Sequence, residues 1–170
     1  TTTAAYEYNG SGWSTAPSLP EARSEMSKAG TQTAVISTGG KSSAPGMDAS
    51  FEYNGSSWTA GGAYPTAFAG ITALGTQTAG VGFGGYVPPG YTNQTNEYNG
   101  SSWTTVNNYP QTSNSSGACG TLTAGLGFGG DNTGVSPRNT TTTAEYDGTN
   151  WTAGGALGTG GYLLRGAGIQ

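Results

Sequence analysis

The chain has 170 residues, of which nine are acidic, five are basic and none is histidine. The absence of histidine removes the commonest catalytic base and metal ligand, and the few basic residues disfavour nucleic-acid binding, which depends on Lys and Arg contacts to phosphate. No apolar run approaches the roughly 20 residues that a membrane-spanning helix needs, and no signal peptide is visible in the sequence.

A repeat of about 45 residues organises the chain. The motif Glu-Tyr-Asn-Gly occurs at residues 7–10, 52–55 and 97–100, with Glu-Tyr-Asp-Gly at 145–148, and each is followed by a tryptophan. The four tryptophans are spaced 45, 45 and 48 residues apart. Between them, Gly-Thr-Gln-Thr-Ala or Gly-Thr-Leu-Thr-Ala leads three times into a diglycine, at Gly39-Gly40, Gly84-Gly85 and Gly129-Gly130. Two motifs with one period identify a repeat protein.

In chain order, the first element predicted is a hairpin around Asn9-Gly10, because Asn-Gly between residues of high β-propensity is a strong hairpin signal. A two-residue loop would place Tyr8 opposite Ser11, whereas a four-residue loop would place Tyr8 opposite Trp13. In both arrangements Tyr8 and Trp13 share one face of the hairpin, and Glu7 points to the other face. The same hairpin is predicted in each repeat.

The other two strands of a repeat are predicted in segments such as 67–73 and 78–84, with the Gly-Thr-Gln turn between them. No helix is predicted, because Gly, Thr and Ser are too frequent and no apolar stripe with a 3.6-residue period occurs. Each unit therefore has four short strands. We expect one repeat domain over residues 1–170, with units of about 14–58, 59–103 and 104–151, and a further unit combining 1–13 with 152–170.

The repeat resembles the kelch repeat, in which a diglycine closes the second strand and a Tyr and a Trp lie on the next two strands. The arginine that often opens a kelch blade is clear only at Arg23. The resemblance implies an all-β, kelch-like β-propeller with about four four-stranded blades, one of them shared between the N- and C-termini or incomplete. Similar tandem repeats are found in phage and environmental surface proteins.

The two ends of the sequence fall inside a repeat. Residues 2–13 correspond to 140–151, the third and fourth strands of a unit, and residues 161–167 correspond to a first strand. Residues 168–170 match the turn that precedes a second strand. Either the sequence is a piece of a longer repeat array, or the position of the second strand is filled by a terminus or by another chain through edge pairing.

The loops that differ most between repeats, at residues 41–50, 85–96 and 131–143, are predicted to lie on one face together with the connections between units. Variable loops on a constant scaffold are typical of a binding surface, although they are equally compatible with loops under no constraint. The side chains there that suit carbohydrate or protein recognition are Tyr86, Tyr91, Asn93, Asn107 and Tyr109.

The recurrent aromatic pairs are predicted to form the structural core between units: Tyr8, Trp13, Tyr53, Trp58, Tyr98, Trp103, Tyr146 and Trp151. The alternative is that they are sugar-stacking platforms. The recurrent glutamates (Glu7, Glu52, Glu97 and Glu145) are expected to accept hydrogen bonds from the backbone of a neighbouring unit, with a Ca²⁺ site as the less favoured alternative. Cys119, the only cysteine, is expected to be a small packed residue at the end of a first strand.

These features predict a non-enzymatic structural or adhesive module, such as a component of a phage fibre, filament or secreted surface protein, located outside the cell or on a virion. The alternative is a lectin of the β-propeller type. We expect no catalytic or metal-binding residues, no cofactor, no nucleic acid and no membrane insertion. The expected partners are the protein itself, through strand pairing at the incomplete unit, or surface glycans and proteins.

Overall fold

The computed structural model describes residues 2–43, 46–132 and 138–168, and within these ranges the chain is all-β, with sixteen strands and no helix. Residues 44–45 and 133–137 of two predicted loops, and residues 169–170 of the C-terminal turn, lie outside the described residues. The strands are β1 (Ala5–Tyr8), β2 (Trp13–Ala16), β3 (Ser27–Thr31), β4 (Ala34–Thr38), β5 (Ser50–Tyr53), β6 (Trp58–Ala60), β7 (Thr72–Thr76), β8 (Ala79–Phe83), β9 (Tyr86–Val87), β10 (Gly90–Tyr91), β11 (Thr95–Tyr98), β12 (Trp103–Val106), β13 (Gly117–Thr121), β14 (Ala124–Phe128), β15 (Thr143–Tyr146) and β16 (Trp151–Ala153).

Three antiparallel sheets of four strands repeat one arrangement in the described part of the chain. The first sheet has the order β3-β4-β5-β6, the second β7-β8-β11-β12 and the third β13-β14-β15-β16. Strands β1 and β2 form a separate N-terminal hairpin, and β9 and β10 form a short hairpin between β8 and β11. The predicted all-β class is therefore confirmed, but the sheets do not close into a ring of paired strands.

The turn between the third and fourth strands of each sheet has four residues. Tyr98 pairs directly with Trp103 in the second sheet, and the other copies pair in the same register. The side-chain oxygen of Asn99 accepts hydrogen bonds from the backbone N–H groups of Ser101 and Ser102, each at 3.0 Å. An Asn side chain that satisfies two turn amides favours this longer loop over a two-residue turn, which explains why the structure adopts the second of the two predicted registers.

The predicted strand at residues 67–73 is shorter and later than expected. Strand β7 begins at Thr72, whereas Phe68 and Ala69 form only isolated bridges to Met47 and Tyr86. These bridges connect different segments of the chain, so the apolar character of Phe68 reflects burial between the first and second sheets rather than membership of β7.

The diglycines connect successive sheets. In the second sheet the N–H of Gly85 donates to the carbonyl of Ser113, 2.7 Å away, just before β13. Gly84 has a φ of +65°, and a Cβ on it would lie 2.6 Å from the same carbonyl oxygen. Equivalent bonds run from Gly40 to Phe68 and from Gly130 to Gly161, so each diglycine fixes the approach to the next unit.

The core lies between sheets, where the second strand of one sheet meets the aromatic pair of the next. Ile36 of β4 belongs to one buried cluster with Tyr98 and Trp103 of the second sheet. Val81 of β8 belongs to another cluster with Tyr146, against which Trp151 packs. Because each sheet is only four strands wide, it buries its aromatic residues against a neighbour rather than within itself.

The C-terminal segment, residues 161–168, lies beside β13 and forms no strand there. The carbonyl of Gly168 accepts a hydrogen bond from the N–H of Gly120, at 3.0 Å, and Gly161 receives the bond from Gly130. The predicted first strand at 161–167 is therefore at the expected place next to the third sheet, but without the ladder of hydrogen bonds that defines a strand.

Arg23, the arginine of the kelch resemblance, is buried next to the first sheet. Its guanidinium donates to the carbonyls of Gly39 and Ala49, at 2.9 and 2.8 Å, and to the carboxylate of Glu21, at 2.6 Å. It also lies over the ring of Phe51, 4.7 Å from the ring centroid. A buried cation requires such partners, so Arg23 is part of the scaffold and not of an accessible site.

Candidate functional site

Side chains from two of the variable loops form a polar cluster. Tyr91, on β10 in the loop after β8, donates from its hydroxyl to Asp131 Oδ2 at 2.7 Å. Arg138, in the loop after β14, contacts both Asp131 carboxylate oxygens, at 3.0 and 2.8 Å, and donates to the Tyr91 hydroxyl oxygen at 2.7 Å. Tyr86 packs edge-on against Tyr91, with 6.0 Å between ring centroids. We call these four residues the loop-face cluster.

The local backbone explains why these side chains meet. The short hairpin of β9 and β10 pairs Tyr86 with Tyr91, which brings both rings to one position. Asp131 follows the third diglycine and forms bridges with Asn114 and Asn139, so its carboxylate is held at the start of the last variable loop. The hairpin and the bridges belong to different units, and the cluster therefore joins two repeats.

The contacts within the cluster shift the pKa values of two of its groups. Burial, and then the hydrogen bond to Asp131, raise the pKa of the Tyr91 hydroxyl above its ordinary value. The hydrogen bond and charge of Asp131 raise the pKa of the Arg138 guanidinium. Tyr91 thus stays neutral and Arg138 stays charged at physiological pH. With 58% of its side chain exposed, Arg138 offers N–H donors beside two aromatic rings, an arrangement suited to hydroxyl, carboxylate or carbonyl groups of a ligand.

The structure brings together only part of the predicted binding set. Tyr86 and Tyr91 lie in the cluster, and Asn93 is half-buried nearby in sequence, with its backbone carbonyl accepting from Tyr109. Asn107 is exposed, but its side-chain amide donates to Thr149 and Asn150 in a turn of the third sheet, at 3.0 and 2.9 Å.

The prediction that Tyr109 is a contact residue is wrong for this structure. Its exposed fraction is 0%, and its ring stacks on Phe83, with 4.5 Å between centroids, and meets Trp151 edge-on at 4.9 Å. The segment that connects β12 to β13 passes between two sheets, so an aromatic residue on it is drawn into the core.

The aromatic pairs serve packing in three of the four copies. Within each copy the Tyr and Trp rings are in contact, and Tyr53, Tyr98, Trp103 and Tyr146 are buried, while Trp58 and Trp151 are half-buried. The first copy departs from the prediction, because Tyr8 is exposed and Trp13 has 73% of its surface exposed. The N-terminal hairpin has no described sheet against that face.

Three of the four recurrent glutamates accept hydrogen bonds from tyrosine hydroxyls of the next unit, rather than from backbone N–H groups as expected. The fourth, Glu145, is exposed, and the hydroxyl of Tyr8 donates to the carbonyl of Gly10 in its own turn. Tyr53 donates to Glu7 at 2.6 Å, and the pairs Tyr98–Glu52 and Tyr146–Glu97 are equivalent, at 2.5 Å. Each of these three carboxylates is thus bound to a neighbouring sheet. Within residues 2–43, 46–132 and 138–168, no three His, Cys, Asp or Glu side chains are grouped so as to hold a metal ion.

Sequence reasoning does not identify Asp131 and Arg138 as site residues. Both lie in the variable loop that carries the three extra residues of the last repeat, so the insertion itself is the available signal. Their pairing with Tyr91 cannot be read from the sequence, because 40 and 47 residues separate them from it.

The described part of the chain contains no helix long and apolar enough to cross a membrane. In comparisons with known proteins, no protein-family model matches the sequence, and no curated protein is significantly similar to it.

Proposed function

We propose that the chain forms a kelch-like β-propeller of about four units, in which the N-terminal hairpin and the C-terminal segment belong to the fourth unit. Positions one repeat apart support this arrangement, since they line one cavity of about 490 Å³: Ala29, Leu74, Cys119 and Ala167. A second cavity, of about 150 Å³, is lined by four further equivalent residues that all have positive φ: Glu25, Gly70, Ser115 and Leu163. Such fourfold equivalence is typical of inner strands around a propeller axis.

The proposed function is that of a non-enzymatic structural or adhesive module that acts outside the cell or on a virion surface. The scaffold residues of the repeat are bound to one another, through three Tyr–Glu hydrogen bonds and the buried aromatic clusters. The loops that vary between units carry the accessible polar chemistry. A constant scaffold with variable loops is the usual arrangement of a binding protein.

The observation that carries this proposal is the loop-face cluster. An exposed guanidinium, a tyrosine hydroxyl and two aromatic rings converge from two loops, with Asp131 holding them in place. Aromatic rings bind the apolar faces of sugars or of protein side chains, and the guanidinium binds oxygen acceptors. The same observation favours the second candidate function, a carbohydrate-binding lectin.

A glycan array probed with the purified chain tests the cluster and separates the two candidates. Specific glycan binding that is lost in Tyr91→Ala and Arg138→Ala, and kept in the control Tyr162→Ala, would support the lectin. Tyr162 is an exposed tyrosine on the C-terminal segment, outside the cluster. Adhesion to protein-coated surfaces that is lost in the same two variants, without glycan binding, would support the adhesive module.

Binding that is unchanged in both cluster variants would contradict a role for the loop face. The native mass of the chain, measured beside its denatured mass, tests self-assembly. A multiple of the denatured mass would favour a structural role in which chains pair with one another, whereas a monomer that neither binds glycans nor adheres would contradict the proposed function.

A further inference from the structure

The N-terminal hairpin has one strand edge that differs from its counterparts. Strands β5, β11 and β15 each pair on both sides, with a second strand (β4, β8 or β14) and with a fourth strand. Their counterpart β1 pairs only with β2 in the described part of the chain. No described residue pairs with the other edge of β1, so its backbone N–H and C=O groups are open to an added strand.

The free edge of β1 borders the cavity of about 490 Å³. Tyr6 and Glu7 of β1 line one side of it, and residues 166–168 of the C-terminal segment line another. The remaining wall includes Tyr53 and Trp58, the aromatic pair of the first sheet. The cavity thus lies between a third strand, a first-strand segment and the aromatic pair of a neighbouring sheet.

In the complete units, the equivalent place is filled by a second strand. Ile36 of β4 packs in a cluster with the aromatic pair of the second sheet, and Val81 of β8 packs in one with the pair of the third sheet. In β8 and β14, glycines alternate with the apolar residues and leave room for neighbouring side chains. A Cβ on Gly82 would lie 3.0 Å from the hydroxyl of Tyr64, and a Cβ on Gly125 would lie 3.1 Å from Leu74.

A glutamine of the next unit also contacts the second and third strands. Gln77 donates from its side-chain amide to the carbonyls of Val35 and Tyr53, at 3.2 and 2.9 Å. Its counterpart one repeat earlier, Gln32, lines the cavity beside β1. Gln32 is therefore in position to donate to a strand that pairs with β1.

We propose that the edge of β1 and this cavity form a docking site for an extended segment of a partner polypeptide. The segment has the alternating pattern of β8 and β14, Gly-apolar-Gly-Phe, and pairs antiparallel to β1. The register follows from the complete sheets: Glu97 pairs with Val81, and Tyr98 pairs with Gly80. An apolar residue of the partner would thus lie opposite Glu7 and a glycine opposite Tyr8. This inference rests on the proposed propeller arrangement. It specifies the sequence pattern of the segment that would add a strand to the fourth unit.

A peptide with the sequence of residues 78–85 tests the proposal, because it carries β8 and its diglycine. Calorimetry would measure binding to the full chain, and hydrogen exchange would follow the amides of β1. We expect saturable binding, with exchange at Ala5–Tyr8 slowed at least about tenfold. The control peptide has Asp in place of the residue that corresponds to Val81, and we expect it not to bind, because a carboxylate would be buried against Tyr53 and Trp58.

Cys119 provides a second readout of the same site. It lines the cavity at the position equivalent to Leu74, which packs against the second strand of the next unit. We expect the peptide to slow alkylation of this single thiol, and prior alkylation with a bulky maleimide to weaken peptide binding at least about tenfold. The Cys119→Leu variant has at this position the residue type of Leu74, its equivalent in the preceding repeat. We expect this variant to bind the peptide as the unmodified chain does.

Three results would overturn the proposal: no protection of β1 at saturating peptide, equal binding of the Asp-containing control peptide, or a dimer of the free chain whose β1 amides are already protected. The last result would identify a second copy of the chain as the occupant. The loop-face cluster shares no residue with this site, so glycan binding or adhesion would remain unchanged if the docking site alone is wrong.

Discussion

At the scale of single residues, the repeat is held together by a tyrosine hydroxyl that reaches one unit back. Tyr53, Tyr98 and Tyr146 each donate to a glutamate of the preceding unit, 46 to 49 residues away. Hydrogen bonds to a charged acceptor contribute more than neutral ones, and these lie at the edge of buried aromatic clusters. In these three pairs the glutamate and the tyrosine of the motif thus act between units and not within one.

We expect Tyr98→Phe to lower the free energy of unfolding by about 1–2 kcal/mol, because it removes the bond to Glu52 while keeping the ring. The matched control is Tyr8→Phe. Among the described residues, the Tyr8 hydroxyl bonds only to the carbonyl of Gly10 in its own exposed turn, so the control should change stability by less than about 0.5 kcal/mol. Urea denaturation of both variants makes the comparison, and equal losses would contradict an inter-unit role for the hydroxyl.

Stability should also decline at alkaline pH. Burial, and then the bond to Glu52, raise the pKa of Tyr98 to about 12, and the pKa values of Tyr53, Tyr109 and Tyr146 are raised as well. Tyrosines of an unfolded chain ionise near pH 10. Above that pH the unfolded chain binds fewer protons than the folded chain, so the stabilisation is complete below about pH 10 and is lost as pH rises toward 12.

Urea midpoints measured between about pH 8 and 11 would follow this decline. The Tyr98→Phe variant should show a shallower slope than the parent chain, because one of the shifted groups is gone. A midpoint that is constant to pH 11 would contradict the prediction.

At the scale of the elements, short motifs set the geometry of turns and of the links between sheets. The Asn side chain of each Asn-Gly motif bonds to turn amides, which produces the four-residue loop, and the Gly of that motif has positive φ, as at Gly55 with +89°. The diglycine has a different task, because its backbone must come close to the chain of the next unit. Both motifs therefore recur for conformational reasons.

We expect Gly84→Ala to destabilise the protein by more than about 1 kcal/mol, because an L-residue is strained at this φ and its Cβ would meet the carbonyl of Ser113. Gly155→Ala is the control. Gly155 does not have a positive φ, and a Cβ added to it would meet no atom within 4 Å, so this change should be neutral or stabilising by up to about 1 kcal/mol. Thermal or urea denaturation would contradict the argument if the two variants lost equal stability.

At the scale of the whole molecule, the N-terminal hairpin is the least supported unit. It contains two strands, whereas the hairpin with the same motif at β15 and β16 is part of a four-stranded sheet. An isolated two-stranded hairpin is marginally stable in water. In the part of the chain that the structure describes, hydrogen bonds of Tyr53 to Glu7 and of Trp58 to Pro17 connect the hairpin to the first sheet on one side.

Backbone hydrogen exchange should therefore be faster in β1 and β2 than in β15 and β16. The two hairpins have similar sequences, since both contain Glu-Tyr on the first strand and begin the second strand with Trp-Ser or Trp-Thr. Mass spectrometry of peptides covering residues 2–17 and 141–154 measures both in one experiment. Equal protection in the free monomer would show that the hairpin has further support and would argue against a free edge on β1.

Much of the fold is predictable from local patterns. The period, the strand hairpins and the diglycines depend on residues close in sequence, so their conformational preferences are visible there. The start of β7 is not predictable in this way, because Phe68 is apolar and apolarity alone does not distinguish an inner strand from a loop buried between sheets. The register of the Asn-Gly hairpins is also not predictable from the sequence, because a two-residue loop and a four-residue loop both put Tyr8 and Trp13 on the same face.

The candidate site is less predictable than the fold. Tyr86 and Tyr91 are recognisable as aromatic residues of a variable loop, but the burial of Tyr109 depends on how two sheets pack around its segment. Asp131 and Arg138 are recognisable as site residues only through their contacts with Tyr91, which is far from both in sequence. Contacts between units depend on the rotation and spacing of the sheets, which no local pattern specifies.

The amino-acid sequence thus decided the all-β class, the repeat unit and the turns, because each depends on backbone preferences within a few residues. The tertiary structure alone decided which aromatic pairs are buried. The same Tyr-Trp motif is packed between sheets at Tyr98 and Trp103 and open to solvent at Tyr8 and Trp13. Burial requires a neighbouring surface, and whether a neighbour is present depends on the position of a unit in the assembled chain.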